Sequence, residues 1–324
     1  MRVLVTGGAG YIGSVICARL AARAHEVVVY DDLSRGHAAA VPAGVTLVRG
    51  DVRDAGLLRE TLTDAGCEAV VHMAALAEVA ESVAEPERYR SVHVDGTAAV
   101  IEAAVAAGAA GLVFSSTAAV YGAPGRTPID EGDPLAPENP YGETKLACER
   151  LLEQARSRGV LASTALRYFN ACGADGVHGE DHDPESHLVP LALRAARDES
   201  AIRVFGTDYP TPDGTCVRDY VHVADLADAH IAALEALPGV QGSFNLGTGN
   251  GDSVRAVLDT VASVTGLPLR RETAPRRAGD PPVLVAGNRR AQLELGWRPR
   301  RSLTDAVADA WAWMCRNPEG YAAG

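Results

Sequence analysis

Lysine is almost absent from this sequence of 324 residues. Of its 30 basic residues only Lys145, in the stretch ENPYGETKLACER, is a lysine, and all the others are arginines. A lysine ammonium is a compact point charge on a flexible stem, whereas a guanidinium is a broad planar fork. We therefore expect Lys145 to occupy a position that needs a compact cation.

Two further absences exclude whole classes of protein. The chain has no apolar run that approaches the ~20 residues a membrane-spanning helix requires. It also has no excess of basic residues, because 42 acidic residues give it a net charge of −12. A surface that binds nucleic acid would favour a basic face instead. The sequence therefore predicts neither a membrane nor a nucleic-acid partner, and a local group of arginines would have to hold any anionic ligand.

Cysteine patterns typical of disulfide scaffolds or metal sites are also missing. The six cysteines, at positions 17, 67, 148, 172, 216 and 315, include no CxxC pair. Scattered single thiols suit a reducing compartment. The sequence enters its first strand at once with MRVLVTGG, with no charged leader and apolar export segment ahead of it. We expect a cytoplasmic protein with reduced thiols.

The chain does contain a regular alternation of short apolar runs and alanine-rich or amphipathic segments. The runs RVLVT, EVVVYDD, VTLVRGD, AVVHMAA, GLVFSS and STALRYFN are typical of buried parallel strands. Helices are predicted between them, over roughly 12–24, 54–65, 87–108 and 140–158. This order predicts an α/β fold with a doubly wound parallel sheet. After about residue 168, loops rich in Gly, Pro and Asp predict a smaller second lobe made of separate chain segments.

The first strand runs into a glycine-rich turn, RVLVTGGAGYIG, and a helix follows. Glycines such as Gly7, Gly10 and Gly13 let the backbone turn tightly and approach a pyrophosphate at the helix N-terminus. Asp31 ends the second strand, where a carboxylate can accept hydrogen bonds from an adenosine ribose. This pattern predicts a dinucleotide site and favours NAD, although Arg35 nearby leaves NADP open.

The helix that contains Lys145 also carries Tyr141, four residues earlier and on the same face. Asn139 is a good helix cap and Pro140 suits the first turn, so the helix should begin just before Tyr141. A free phenol has a pKa of about 10, so lowering it to near 7 takes roughly 4 kcal/mol. The Lys145 ammonium and the positive ring of bound NAD+ are expected to supply this. Tyr141 is then predicted to act as a general base in a hydride-transfer reaction.

A third element, FSSTAAVYG, follows the fifth predicted strand. Hydroxyl groups at the carboxyl end of a parallel strand lie beside the ligand crevice of such a sheet. We expect Thr117 to hydrogen-bond the reacting oxygen and to complete a catalytic set with Tyr141 and Lys145.

Eight motifs together resemble the extended short-chain dehydrogenase/reductase family, most closely its UDP-galactose (UDP-glucose) 4-epimerases: TGGAGYIG, GDVRD, FSSTAAVYG, YGETK, RYFN, FGTDYPTPDGTCVRDYVHVADLADAH, NLGTG and APRRAGD. The resemblance spans nearly the whole chain, and DYPTPDGTCVRDYVHV is its most specific part. It implies a Rossmann-type NAD-binding domain over 1–167 plus about 217–240. A smaller α/β C-terminal domain, over about 168–216 plus 241–324, would bind a UDP-sugar.

The activity implied by this resemblance is inversion of C4 of a UDP-hexose of the UDP-glucose/UDP-galactose type. It would proceed through a transient 4-keto intermediate, with NAD tightly bound and regenerated in each cycle. A homodimer is also implied. The implied cofactor contacts are Gly7, Gly10, Tyr11, Ile12, Gly13, Asp31, Asp51, Val52, Tyr141 and Lys145. The implied substrate contacts are Thr117, Tyr141, Asn170, Arg218, Arg277, Asp280 and Leu284.

Within that resemblance, individual roles follow from matching positions. Lys145 would hold the nicotinamide ribose, and Asp51 and Val52 would lie by the adenine. Asn170, Arg218 and Arg277 would hold the UDP diphosphate, Asp280 would lie near the uridine ribose, and Leu284 would gate the sugar pocket.

Several positions depart from the family pattern. Thr117 stands where serine is usual, Ala77 replaces a usual lysine, Asp32 replaces an asparagine, and His93 and His187 each take an asparagine position. These departures leave the sugar open. The small Leu284 would admit a UDP-N-acetylhexosamine, whereas one of the two histidines or Arg194 could meet the carboxylate of a UDP-hexuronic acid.

Two other functions share parts of this pattern. A nucleotide-sugar 4,6-dehydratase or decarboxylase has the same fold, Tyr and Lys, but generally carries acidic residues after the Thr117 position, where this chain has Ala118 and Ala119. A non-catalytic NAD(H) sensor would have no reason to keep its only lysine four residues from a tyrosine. Both are less favoured than the epimerase.

The segment VHGEDHDPESH collects His178, His182 and His187 with several acids. Its spacing matches no established zinc or calcium loop. We therefore expect a solvated loop of the substrate domain and no metal.

Overall fold

The computed structural model describes residues 1–277 and 279–321. Its strands are β1 (Arg2–Thr6), β2 (Glu26–Asp31), β3 (Thr46–Arg49), β4 (Ala69–His72), β5 (Gly111–Thr117), β6 (Ala162–Tyr168), β7 (Asn170–Cys172), β8 (Ala201–Phe205), β9 (Val217–Arg218), β10 (Tyr220–His222), β11 (Gly242–Leu246), β12 (Asp252–Ser253), β13 (Arg270–Ala274) and β14 (Val283–Leu284). Its α-helices are α1 (Tyr11–Ala22), α2 (Ala55–Asp64), α3 (Val79–Ala84), α4 (Pro86–Arg90), α5 (Gly96–Ala106), α6 (Pro140–Ser157), α7 (Leu188–Arg197), α8 (Val223–Ala236), α9 (Val254–Thr265), α10 (Arg289–Glu294) and α11 (Leu303–Arg316).

A seven-stranded parallel sheet in the order β11-β6-β5-β4-β1-β2-β3 forms the centre of the larger lobe. Its inner strands β1, β2 and β4 are largely buried apolar runs, as expected of a parallel sheet that helices cover on both faces. One core lies between the sheet and helices α1 and α8, and a second lies between the sheet and helices α2, α5 and α6. The predicted Rossmann-type α/β fold is confirmed.

The smaller lobe is built from segments that follow β6. Helices α7, α9 and α11 pack around a core of their own, which includes Leu193, Val257, Leu258 and Met314. Three short sheets, β10-β7, β12-β9-β14 and β13-β8, connect these segments. The division into an NAD-binding and a UDP-sugar-binding domain stays a prediction. However, β11, which the predicted boundary at 241 places in the second domain, pairs with β6 in the large sheet.

Two local predictions can be compared directly with the structure. The helix predicted over 140–158 begins at Pro140, and the Asn139 side chain caps it by accepting from the Gly142 amide at 2.9 Å. The single helix predicted over 87–108 is instead α4 and α5 joined by a π-helical turn at Ser91–Asp95. Among the described residues, no helix has both the length and the apolar character needed to span a membrane.

Candidate active site

A large cleft opens at the carboxyl edge of the seven-stranded sheet. The strand order reverses between β1 and β4, and the crevice at such a point is where doubly wound sheets bind ligands. The cleft has a volume of about 1450 Å³. Every site residue predicted from the sequence lines it: Gly7, Gly10, Tyr11, Ile12, Gly13, Asp31, Asp51, Val52, Thr117, Tyr141, Lys145, Asn170, Arg218, Arg277, Asp280 and Leu284.

The turn after β1 brings a helix N-terminus to the floor of the cleft. A Cβ atom on Gly13 would lie 2.1 Å from the Gly7 carbonyl oxygen, so only glycine lets α1 pack this closely on the turn. A Cβ atom on Gly10 would meet nothing closer than that oxygen, at 3.4 Å, because Gly10 faces open space. Among the described residues, no side chain caps α1. Its first N–H groups and positive dipole end can therefore hold a pyrophosphate.

Asp31 lies at the end of β2 beside this turn. Its carboxylate accepts hydrogen bonds from the amides of Ala9, at 3.0 Å, and Leu33, at 2.9 Å. Burial nevertheless raises the pKa of Asp31 above its usual value. A carboxylate oxygen has further lone pairs, so Asp31 can also accept from ribose hydroxyls. The turn, α1 and Asp31 thus fit a dinucleotide.

Asp51 and Val52 line the same side of the cleft as the glycine turn, α1 and Asp31. We call this side the dinucleotide wall. The Arg53 side chain donates to Asp51, with Nε 2.9 Å from one carboxylate oxygen. This hydrogen bond lowers the pKa of Asp51 below its usual value. The Tyr30 hydroxyl donates to the Asp51 carbonyl at 2.9 Å. The backbone at Asp51 and Val52 is therefore held in place beside the cleft.

Tyr141, Thr117 and Lys145 all line the cleft. Burial raises the pKa of Tyr141 to about 12, while a hydrogen bond with the Thr117 side chain acts in the opposite direction. Lys145 is almost fully buried, and its Nζ donates to the Ser115 carbonyl at 2.9 Å and lies 5.0 Å from the centre of the Phe114 ring. Burial lowers the pKa of Lys145 to about 8.

The fall in the pKa of Tyr141 that Lys145 and bound NAD+ are expected to cause together stays a prediction. In the protein alone, burial is the largest influence on this pKa and raises it. The Lys145 ammonium is directed at the Ser115 carbonyl. The two side chains do lie in the same cleft, as their spacing on α6 predicts.

The opposite wall comes from β7, β9 and the segment that ends in β14. Arg218 forms an ion pair with Asp280, and its other nitrogen donates to the Val217 carbonyl at 2.7 Å. The Arg277 guanidinium lies over the Phe205 ring, 4.1 Å from its centre. Asn170 and Leu284 also line the cleft. Two planar guanidinium groups on one wall can hold a diphosphate.

Comparisons with known proteins agree with this geometry. The sequence model of the NAD dependent epimerase/dehydratase family matches residues 3–247. The chain belongs to this family. It is 48% identical to a UDP-glucose 4-epimerase of Streptomyces lividans, over 99% of this chain and 98% of that protein. The crystal structure of a UDP-glucose 4-epimerase from Brucella ovis in complex with NAD is 44% identical, with a TM-score of 0.92 over 96% of this chain and 97% of that one. The crystal structure of a UDP-glucose 4-epimerase from Bifidobacterium longum in complex with NAD+ and UDP is 34% identical, with a TM-score of 0.93 over 99% of this chain and 100% of that one.

The positions at which this epimerase/dehydratase family member departs from the sequence pattern lie in different places. Ala77, Asp32 and His187 line the cleft. His93 lies behind it, where Nδ1 is 2.8 Å from the Thr144 hydroxyl and Nε2 accepts from the Leu76 amide at 3.0 Å. Arg194 is outside the set of described residues that line the cleft. Of the groups expected to meet a sugar carboxylate, only His187 is therefore in place.

Sequence reasoning missed two polar side chains that line the cleft. The Ser115 and Tyr168 hydroxyls share a hydrogen bond, and both residues line the cleft. Tyr168 lies near enough to Tyr141 for a Tyr141 phenolate to raise the pKa of Tyr168. Both residues lie near the carboxyl ends of neighbouring strands, β5 and β6, which is the signal that could have found them.

The loop between β7 and α7 also differs from expectation. The side chains of Glu180 and Glu185 are only 7% and 1% exposed. A solvated loop is therefore wrong for these two acids. Glu180 lines the cleft together with His182 and His187.

Proposed function

We propose that this chain is an NAD-dependent epimerase that inverts C4 of a UDP-hexose of the UDP-glucose/UDP-galactose type. The observation that carries the proposal is that Tyr141, Thr117 and Lys145 lie in one cleft between a dinucleotide wall and a wall with two guanidinium groups. The UDP-glucose 4-epimerase relatives, over nearly the full chain, support the same activity.

The chain's own residues determine where NAD would lie. The N-terminus of α1 would hold the pyrophosphate, Asp31 the adenosine ribose, and Asp51 and Val52 the adenine. Lys145 would meet the nicotinamide ribose at the centre of the cleft. When bound there, NAD accepts a hydride from sugar C4 and returns it to the opposite face of the carbonyl carbon.

Tyr141 moves the proton in this reaction. Its phenolate removes the proton of the sugar 4-hydroxyl, and the phenol returns it after the sugar has turned over. Burial raises the pKa of Tyr141 to about 12. Lowering this pKa to 7 therefore requires about 7 kcal/mol of stabilisation of the phenolate. Positive charge at the centre of the cleft, including that of Lys145, must supply it.

Thr117 and Lys145 have supporting parts. The Thr117 hydroxyl is in hydrogen-bonding reach of Tyr141 and stabilises its charged form. It can also hydrogen-bond the sugar O4 in both configurations. The Lys145 ammonium is anchored by the Ser115 carbonyl, which fixes its position in the cleft. Burial strengthens the effect of its charge.

The opposite wall keeps the sugar from leaving between the two transfers. Arg218, Arg277 and Asn170 would bind the diphosphate, and Asp280 would accept from the uridine ribose. The 4-keto sugar can then rotate on its anchored diphosphate and present its other face. The sugar is oxidised and reduced once each, so the cycle leaves no net redox change.

The test is to incubate the purified protein with UDP-galactose and separate the products by chromatography. UDP-glucose should form without added NAD and without a lasting change at the absorbance band of reduced nicotinamide. Tyr141→Phe should lower kcat by about 10²- to 10⁴-fold, the usual contribution of a positioned acid or base.

Tyr209→Phe is the matched control. Tyr209 is also buried, but its hydroxyl has no hydrogen-bond partner among the described residues and it does not line the cleft. Full activity of Tyr141→Phe, or net reduction of NAD by the wild type, would contradict the proposal.

Leu284 supports a broader sugar range within the same activity. It lines the cleft and packs beside Tyr121 and Ile129, so its side chain has a defined place. A leucine leaves more room than an aromatic ring for an N-acetyl group. We expect turnover of UDP-N-acetylglucosamine as well as UDP-glucose, and Leu284→Tyr should reduce the first selectively. An equal effect on both substrates would reject a gating role.

A homodimer and a cytoplasmic location remain part of the proposal. The described part of α5 buries Val100, Ala103 and Ala104 in the core and leaves Val105 exposed. The outer face of α5 is available to a second copy of the chain. Light scattering on the purified protein should give twice the monomer mass.

A further inference from the structure

A cluster of two histidines and two glutamates lies in the loop between β7 and α7. Its members, Glu180, His182, Glu185 and His187, are called the His–Glu cluster. Each offers one atom that can bind a metal ion, and these four atoms lie within 4.8 Å of one another. His187 Nδ1 is 2.8 Å from a Glu180 oxygen and 3.0 Å from a Glu185 oxygen, and His182 Nδ1 is 3.3 Å from the same Glu180 oxygen. The four side chains thus converge on one point.

One oxygen of the His–Glu cluster lacks a partner. Glu185 Oε1 accepts from the Ser186 and His187 amides, both at 2.8 Å. Glu185 Oε2 is buried and has no hydrogen-bond partner among the described residues, and the side chain is only 1% exposed. An unpaired buried carboxylate oxygen is unfavourable unless a donor or a cation meets it. This orphaned oxygen points to a ligand that completes the cluster.

The donor set indicates the kind of ligand. A metal ion would displace the protons that the two histidines share with the glutamates, and the remaining two carboxylates and two neutral imidazoles would carry a charge of −2, which a divalent cation would neutralise. Imidazole nitrogen favours zinc and its transition-metal neighbours, whereas magnesium and calcium favour oxygen donors alone. Four protein donors with no thiolate match a four-coordinate site. Zinc–ligand bonds of about 2.0–2.2 Å place donors about 3.4 Å apart, which small side-chain rotations can reach.

We propose that the His–Glu cluster binds one divalent transition-metal ion, with zinc the best match, through one oxygen of each glutamate and one nitrogen of each histidine. His182 and His187 are partly exposed on the cleft side, so an ion can enter from the cleft. This site does not depend on the proposed epimerase activity, because none of its four residues takes part in the proton or hydride transfer.

The position of the His–Glu cluster suggests what the ion does. The His182 ring meets the Tyr11 ring edge-on, with their centres 6.2 Å apart. The Tyr11 hydroxyl donates to the Gly173 carbonyl at 2.6 Å, at the start of the same loop. An ion bound by residues 180–187 would fix this loop against the first turn of α1. The bound ion would therefore stabilise the contact between this loop and the dinucleotide wall.

The first experiment measures binding of zinc to the full-length protein. The protein is treated with EDTA, freed of the chelator and titrated with Zn²⁺ by calorimetry, with Mg²⁺ in a parallel titration. We expect one Zn²⁺ per chain, no competition from Mg²⁺, and a higher melting temperature with Zn²⁺, because an ion that binds only the folded state stabilises it. Failure of the wild type to bind Zn²⁺ would mean that protons alone neutralise the cluster and would overturn the proposal.

Variants locate the ion. Glu185→Gln and His187→Gln should each weaken Zn²⁺ binding by at least ten-fold. His178→Gln is the matched control, because His178 lies in the same loop but pairs with Asp175, with Nδ1 3.0 Å from a carboxylate oxygen, outside the cluster. Equal affinity of all three variants and the wild type would overturn the proposal.

A second measurement does not require the variants to fold. X-ray absorption on the Zn²⁺-loaded wild type should show scattering from two imidazole rings and from oxygen, without sulfur. Sulfur scattering would assign the ion to a cysteine and would overturn the proposal.

Discussion

The two walls of the cleft are built in different ways. The dinucleotide wall comes from residues 7–53, a short continuous stretch whose geometry is set by backbone turns and strand ends. The opposite wall joins Asn170, Arg218 and the nearby pair Arg277 and Leu284, three positions that are far apart in the chain and meet only in the folded protein. A wall encoded by adjacent residues can be recognised from a motif, whereas a wall assembled from distant segments has no local signature.

The walls also differ in how they hold charge. Asp31 is fixed by two backbone amides, which leave its position independent of other side chains. Arg218 is paired with the Asp280 side chain, which is 30% exposed, and Arg277 lies against a ring. The first wall is therefore rigid by its backbone, and the second is held by contacts that a ligand can exchange. Substitutions should accordingly have sharper effects on the first wall and at the centre.

The largest expected effect is at the centre, where Lys145 follows Tyr141 on the same helix. Lys145→Met should lower kcat by about 10²- to 10⁴-fold, as loss of a group that supports proton transfer usually does. Lys145→Arg should fail almost equally, because a fork does not fit a buried position that holds one point charge. The measurement is UDP-galactose turnover with NAD content matched. Near-wild-type activity of Lys145→Arg would show that charge alone is required.

Lys145→Met should also make the protein more stable at pH 7. Burial lowers the pKa of Lys145 from 10.5 to about 8, so between these values the unfolded chain binds more protons than the folded one. The stability of the wild type should therefore rise from pH 8 towards pH 10.5. Lys145→Met should remove this slope. At pH 7 its free energy of unfolding should exceed that of the wild type by about 3 kcal/mol at most, which denaturant unfolding measures. Identical slopes in the two proteins would contradict the shift.

A pair of glycine variants tests the rigidity of the dinucleotide wall. Gly13→Ala places a Cβ atom 2.1 Å from the Gly7 carbonyl, so the turn must move, and the free energy of unfolding should fall by about 1–3 kcal/mol. Gly10→Ala meets no such contact and should fold normally, but its methyl group enters the space proposed for the pyrophosphate. We expect it to lose bound NAD without losing stability. Denaturant melts and NAD extraction measure the two effects, and similar behaviour of both variants would show that the turn is not rigid.

This difference between the walls also explains what the sequence could predict. The strands, the cap at Asn139 and the glycine turn follow from local patterns, and the structure has them where they are expected. The matching positions of Arg218 and Arg277 were available only through the resemblance to a family, because no local rule brings residues of separate segments together. The structure places both in the cleft.

Other features could not be read from sequence because they depend on packing. The direction of the Lys145 ammonium is decided by the Ser115 carbonyl at the end of β5, a residue 30 positions away. The pKa of Tyr141 depends on burial, which a spacing of four residues does not reveal. The His–Glu cluster has no recognisable spacing, and its loop contacts the dinucleotide wall through the rings of His182 and Tyr11.

On the opposite wall, which contains Arg218, a conservative change should have a moderate effect. Arg218→Lys keeps the charge but loses the planar fork, so KM for UDP-galactose should rise by about ten-fold, roughly 1.4 kcal/mol. NAD content should not change. Arg276→Lys is the matched control, because Arg276 pairs with Asp208 and lies outside the described lining of the cleft. A loss of NAD in Arg218→Lys would show that the two walls are not independent.

The smallest expected effect compares the same change on the two walls. Asp280→Asn releases Arg218 from its ion pair and keeps an oxygen that can accept from a ribose hydroxyl. Partly exposed ion pairs are worth about 0–1 kcal/mol, so KM for UDP-galactose should fall by at most about five-fold. Asp31→Asn should behave differently, because an amide NH2 group would oppose the backbone amide of Ala9 or Leu33 and the variant should retain less NAD. Substrate kinetics and NAD extraction on both variants measure the contrast. Equal effects at Asp31 and Asp280 would mean that the Asp31 carboxylate is as exchangeable as the pair on the opposite wall.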